Sequence, residues 1–179
     1  LMRHFGAIAE AIEKSIVLYS IPGRCGIEIG TSVVARLHEK YPHVKAIKEA
    51  GGSCEKVSDL RLRLGPDFVI LSGDDDLTLP FMSCGARGVI SVASNLIPEQ
   101  VVRMTELANK NDFQLASETH HAYHALFQDL FLEPNPVPIK FLMKRLGFME
   151  SDEVRLPLSP LSAENQNRLL QLATDLGLA

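Results

Sequence analysis

The sequence predicts an α/β fold built of repeated βα units, and three observations carry that expectation. Short, continuous runs rich in β-branched residues end at Tyr19, Lys48 and Ser72, with a fourth in GVISVAS at 88–94. Stretches of helical periodicity separate them, and each run is bounded by turn residues: SIPGRCG, EAGGS, GDDD and the segment from Asn95 to Pro98. Runs that are apolar throughout read as parallel strands buried on both faces.

The elements follow in order. The chain opens on LMRHFGAIAEAIEKS, where Phe5, Ile8, Ala9 and Ile12 fall at helical spacing, with no N-cap residue and no strand ahead of it. Helices are expected at 31–40, 54–64 and 78–84, each after a strand run, and a fourth from Asn95 and Pro98 to about Asn109. Beyond residue 110 the strand signals stop. Helical periodicity covers 113–131, EPNPVP breaks it, and further helices are expected at 139–146 and 163–176, joined by the extended RLPLSP. Ser162 suits the N-cap of the last helix, with Asn165 standing where a capping box has Glu or Gln. Residues 1–110 thus read as the α/β body and 111–179 as a helical domain appended to it.

A doubly wound sheet and a (β/α)8 barrel both allow this pattern. Chemistry-bearing residues at the carboxyl ends of consecutive strands favour the barrel. A closed barrel takes about 250 residues, and half of one exposes its inner face and both edges. The 179-residue chain is therefore read as the C-terminal four βα units of a (β/α)8 TIM barrel followed by a C-terminal helical appendix, with the first four units missing or supplied elsewhere.

Composition narrows the class. With 46% hydrophobic and 22% charged residues, disordered, collagenous and disulfide-scaffold proteins are excluded. Eighteen basic against 22 acidic residues give a net charge of −4, which offers no general attraction to nucleic acid or an anionic membrane. No apolar run approaches the roughly 20 residues of a membrane span. Cys25, Cys54 and Cys84 are odd in number and widely spaced, which fits a reducing cytoplasm.

Three residues could carry chemistry. Lys48 ends an apolar strand, where desolvation of its amine would free a lone pair for attack on a carbonyl; the plainer reading is a lysine reaching the rim to pair with Glu49 or a neighbouring strand. Tyr19 ends the first strand, where a phenol can relay protons or simply edge the core. Arg24 could hold a carboxylate in a bidentate fork, or stand as a solvated loop cation. Other clusters read as structural. Asp74, Asp75 and Asp76 are consecutive, cannot converge on one ion, and complement the dipole of the following helix. His120 and His124 share the i,i+4 spacing of zinc ligands without an HExxH motif or an evident third ligand. The cysteines form no CxxC pair, so no metal or other cofactor is implied.

Taken together, YSIPGRCG (19–26), IKEAGG (47–52), LSGDD (71–75), GARGVISVASN (85–95), EPNPVPIK (133–140) and RLPLSP (155–160) resemble the dihydrodipicolinate synthase family of pyruvate-dependent class I aldolases. The resemblance spans nearly the whole chain. It implies that Lys48 forms a Schiff base with pyruvate, that Tyr19 belongs to a proton relay, and that Arg24 meets the carboxylate of the second substrate, aspartate semialdehyde. It further implies that Gly73 and Ile90 line the pyruvate site, Ile90 through its backbone, and that the complete barrel is a homotetramer acting in lysine biosynthesis. Ser20, Cys25 and Gly51 depart from the usual Asn, Thr or Ser, and Ser or Thr of the family. The family's paired threonines, a tyrosine lent across a dimer interface and the lysine feedback site belong to the half not represented here. Sister aldolases that cleave N-acetylneuraminate or keto-deoxy sugars share the lysine and tyrosine. The arginine two residues after Pro22 favours the synthase, and a non-catalytic fragment serving only folding or assembly is the remaining alternative.

Overall fold

The computed structural model describes residues 1–178; Ala179, the last residue of the expected helical segment 111–179, lies outside them. Four parallel strands, β1 (Ile16–Ser20), β2 (Val44–Glu49), β3 (Val69–Ser72) and β4 (Gly88–Val89), form one sheet in the order β1-β2-β3-β4. Helix α1 (Met2–Ala11) precedes it, and α2 (Pro22–Cys25), α3 (Thr31–Lys40), α4 (Cys54–Leu64) and α5 (Thr78–Ser83) connect its strands. After β4 come α6 (Pro98–Asn109), α7 (Phe113–Asp129), α8 (Val137–Arg145) and α9 (Ala163–Asp175). The chain separates into two compact units: Leu1–Ile90 with Ala108–Asn111, and Ser91–Leu107 with the chain from Asp112 onward.

Within the first unit the two faces of the sheet differ. Side chains alternate across a strand, and the register sets Leu18, Ile47 and Ile70 in one row. That row is sealed, together with Val34 and Leu37 of α3, Val57 and Leu60 of α4, and Phe81 of α5. The adjacent rows face the other way, where Val17 and Tyr19 are 49% and 45% exposed. The expectation of strands buried on both faces therefore holds on the helix-covered side alone. The front face is open along β1, as the expected half-barrel requires.

Two elements of this unit differ from the sequence expectation. SIPGRCG contains one helical turn, α2, because Pro22 presets the backbone at its first position and Gly26, at φ 66°, closes it by donating its N–H to Pro22 O. Four residues are too few to show a helical period. GVISVAS was expected to be strand over its apolar stretch, yet β4 is two residues long. Ile90 still donates its N–H to Ser72 O at 2.9 Å, and the chain then leaves the sheet. Ser91 Oγ accepts from Ser94 N–H at 2.8 Å and starts a 3-10 turn at Ala93–Asn95. β4 pairs with β3 alone, so no second neighbour extends it.

The second unit packs Leu126 and Phe127 of α7, Phe141 and Leu142 of α8, and Leu169 and Ala173 of α9 into its core. α8 begins two residues earlier than its periodicity indicates, with Pro138 in the first turn, where no amide is required. Ser162 caps α9 by accepting the Asn165 N–H. The reciprocal half of that cap comes from far along the chain: Glu133 Oε1 accepts from Ser162 N–H at 2.9 Å and from Asn165 Nδ2 at 2.8 Å.

Candidate active site

The ends of β1 and β2 build the site. Tyr19 is the register partner of Lys48, and in turn Lys48 of Leu71. Partners in a parallel ladder project to the same face, so phenol and amine stand side by side on the open front. Lys48 Nζ lies 4.3 Å from the centroid of the Tyr19 ring, within cation–π range. A carbonyl compound reaching that face meets a primary amine and a phenolic proton donor together.

The other expected residues lie at the same edge, because every strand of a parallel sheet ends on one side. Gly73 follows β3 and donates its N–H to Glu49 O at 2.7 Å. A Cβ there would fall 2.5 Å from the Ala50 Cβ, so only glycine permits this close approach of the β2 and β3 ends. Ile90 follows β4, tied by its amide to Ser72 O and exposed on its side chain. Arg24 sits on α2, in the segment directly after β1, and is exposed. The structure thus brings Tyr19 and Lys48 into contact, sets Gly73 and Ile90 at the ends of the next two strands, and places Arg24 in the loop layer above β1.

Behind the same strand ends lies a charged cluster that the sequence reading missed. Ser20 and Glu49, the residues after Tyr19 and Lys48, are also register partners and point to the back. Glu49 is fully buried, and Lys56 of α4 is only 8% exposed. Lys56 Nζ donates to Ser20 Oγ at 3.1 Å and to Glu28 Oε1 at 2.8 Å. It stands 2.7 Å from Glu49 Oε2, held by charge without the alignment of a directed hydrogen bond. The other Glu49 oxygen accepts the Gly51 N–H at 2.8 Å, and Ser20 Oγ also accepts from Ile29 N–H. Glu49 therefore pairs with Lys56 across the back, where the sequence reading had considered Lys48 as its partner. The available signal was alternation: polar residues at the positions next to Tyr19 and Lys48 must face the helix layer and need partners there.

Burial dominates the electrostatics of both neighbouring acids. It pushes the Glu49 carboxyl above its ordinary value, and Lys56 and the Gly51 amide only partly oppose it. Burial likewise raises the carboxyl of Asp74, helped by the charge of Asp76 and opposed by Lys48. The aspartate loop is tied internally, with Ser72 Oγ donating to Asp74 O at 2.7 Å. Among the described residues no group of three or more His, Cys, Asp or Glu is arranged to hold a metal ion, and no helix is long and apolar enough to cross a membrane.

Four sequential parallel βα units with a lysine and a tyrosine paired at their carboxyl edge define a protein of the (β/α)8-barrel class, represented here by four of its units. The chain belongs to the dihydrodipicolinate synthetase family, whose sequence profile matches residues 1–176. It is 44% identical to the 4-hydroxy-tetrahydrodipicolinate synthase of Persephonella marina over 178 residues, 99% of this chain and 61% of that protein. Identity to the protein of the same name from Aquifex aeolicus is 41% over 172 residues, 96% of this chain and 58% of that one. The crystal structure of dihydrodipicolinate synthase from Aquifex aeolicus matches with a TM-score of 0.96 at 40% identity, over 99% of this chain and 60% of that chain. The 4-hydroxy-tetrahydrodipicolinate synthase structure from Methylacidiphilum fumariolicum SolV matches with a TM-score of 0.95 at 45% identity, over 98% of this chain and 58% of that chain. The chain thus spans 58% to 61% of the length of these relatives.

Proposed function

We propose that this chain carries the Schiff-base centre of a pyruvate-dependent class I aldolase, acting as a 4-hydroxy-tetrahydrodipicolinate synthase. The observation that carries the reading is the Lys48 amine 4.3 Å from the Tyr19 ring on the open carboxyl edge of the sheet. The neutral Lys48 amine attacks the C2 carbonyl of pyruvate, and Tyr19 passes a proton to the oxygen that departs as water, leaving an imine. Loss of a methyl proton converts the imine to an enamine, whose terminal carbon attacks the aldehyde of L-aspartate 4-semialdehyde. The aldehyde oxygen takes a proton as the carbon–carbon bond forms. The substrate's own amine then displaces Lys48 from C2, which closes the ring of 4-hydroxy-tetrahydrodipicolinate and frees the lysine.

Arg24, above the end of β1, receives the carboxylate of the semialdehyde, and Gly73 and the Ile90 backbone line the pyruvate pocket. The names of the relatives support this choice of second substrate and a place in diaminopimelate and lysine biosynthesis. The reading extends to residues 1–110 as the barrel half, residues 111–179 as the helical domain, a homotetramer when the barrel is complete, and a cytoplasmic location.

Borohydride reduction in the presence of pyruvate, followed by peptide mass mapping, tests it. The expected result is a reduced pyruvate adduct on Lys48 that disappears in Lys48→Ala. An adduct on a different lysine would overturn the reading. So would no adduct on folded protein, including a sample supplied with the N-terminal segment of a relative.

A further inference from the structure

We infer that Lys56 is a positioning residue for the Lys48–Tyr19 pair, holding both strand ends in place from behind; this rests on Lys48 being the reactive amine. One buried ammonium binds three segments: Ser20 at the end of β1, Glu49 at the end of β2, and Glu28 in the loop before α3. Its own anchorage is firm, since the Lys56 N–H donates to the Ser53 cap of α4 at 3.1 Å.

Ser20 and Glu49 each follow a front-facing residue by one position. Successive strand side chains point to opposite faces, so fixing the direction of one fixes its neighbour. An apolar filler could occupy the same space, but it would leave the roll of the two strand ends loosely set. An ammonium that donates to Ser20 Oγ and Glu28 Oε1 and stands 2.7 Å from the buried Glu49 carboxylate sets that roll, and with it the common level at which phenol and amine project. Small misplacements matter here, because an imine-forming amine and its proton donor must reach one carbonyl together.

The test is spectroscopic and needs no substrate. In the full protein labelled with 13C at lysine Cε, the Lys48 resonance, identified by its loss in Lys48→Ala, is expected upfield from the ring current of Tyr19. Tyr19→Leu removes that displacement and calibrates it. Lys56→Met is expected to remove more than half of it and to slow borohydride trapping of pyruvate by about tenfold or more. Leu60→Ala, at a buried apolar position one turn further along α4, controls for destabilisation of the helix and is expected to keep both. If Lys56→Met fails to fold, Ser20→Ala removes one partner of the ammonium and is expected to lose part of the displacement. An unchanged Lys48 resonance in folded Lys56→Met or Ser20→Ala overturns the inference, as does equal loss in Leu60→Ala. Absence of trapping in the unsubstituted protein would instead count against the aldolase reading, while the resonance still reports on Lys56.

Discussion

Two lysines serve the same pair of strand ends from opposite sides. Lys48 stands half-buried on the front, with its amine 4.3 Å from the centroid of an aromatic face. Lys56 is enclosed on the back, with a hydroxyl and two carboxylates around its ammonium. Moving one residue along β1 or β2 crosses from one environment to the other. The contrast follows from the sheet itself: the face turned to the helices must pair its polar groups, whereas the opposite face leaves Tyr19 exposed.

The sharpest way to break this contrast is to make the same substitution on both sides. Lys56→Met leaves Glu49 buried without its cation and is expected to cost about 3 kcal/mol in urea unfolding. Lys48→Met gives up an accessible cation–π contact and is expected to cost about 1 kcal/mol or less, while abolishing pyruvate trapping. Equal losses of stability would remove the distinction between the faces.

A smaller effect is expected at Gly51. A Cβ there would lie 2.6 Å from Glu49 Oε1 and 3.0 Å from Glu28 Oε1, so the acids about Lys56 must move apart. Gly51→Ala is expected to destabilise by about 1–3 kcal/mol, with the upfield displacement of Lys48 reduced as in the Lys56 variant. Thermal and urea unfolding at parental values would show that the cluster yields without cost.

The smallest expected effect at neutral pH is that of Glu49→Gln, and its sign changes the picture of the back cluster. Burial raises the Glu49 carboxyl, so the folded protein holds that proton more tightly than the unfolded chain. The stability linked to it is complete below the ordinary carboxylate pKa and is lost as pH rises through the raised value. The unsubstituted protein is therefore expected to gain on Glu49→Gln as the solution is acidified. Urea unfolding of both at a series of pH values measures the difference; an unsubstituted protein that loses stability relative to Glu49→Gln toward acid would mean that Lys56 outweighs the burial of Glu49.

Helices α3 and α4 match their predicted spans of 31–40 and 54–64 because an apolar period and clear flanking turns mark both. β4 does not, since a run of apolar residues records burial and says nothing about how many strands lie beside it. α2 hides in a turn motif too short for periodicity. The cap of α9 was half legible: Ser162 marks it, while its acidic partner Glu133 lies 29 residues upstream. Lys48 and Tyr19 were legible as residues near strand ends, each one position short of the observed terminus. Lys56 was not, because nothing in the first turn of a helix reveals which strand residues its side chain will meet.

Sequence alone determined that Tyr19, Lys48 and Gly73 would lie toward one edge, because repeated βα units make parallel strands and parallel strands end on the same side. Turn residues punctuate each run and placed the ends of β1 and β2 within one residue and that of β3 at Ser72, but not that of β4. Only the tertiary structure decided that Tyr19 meets Lys48, that Gly73 closes against Ala50, and that Lys56 joins Ser20, Glu28 and Glu49. Those contacts depend on strand register and on where a helix seats against the sheet. A slip of one residue along β1 or β2 would turn that strand's side chains to the opposite face.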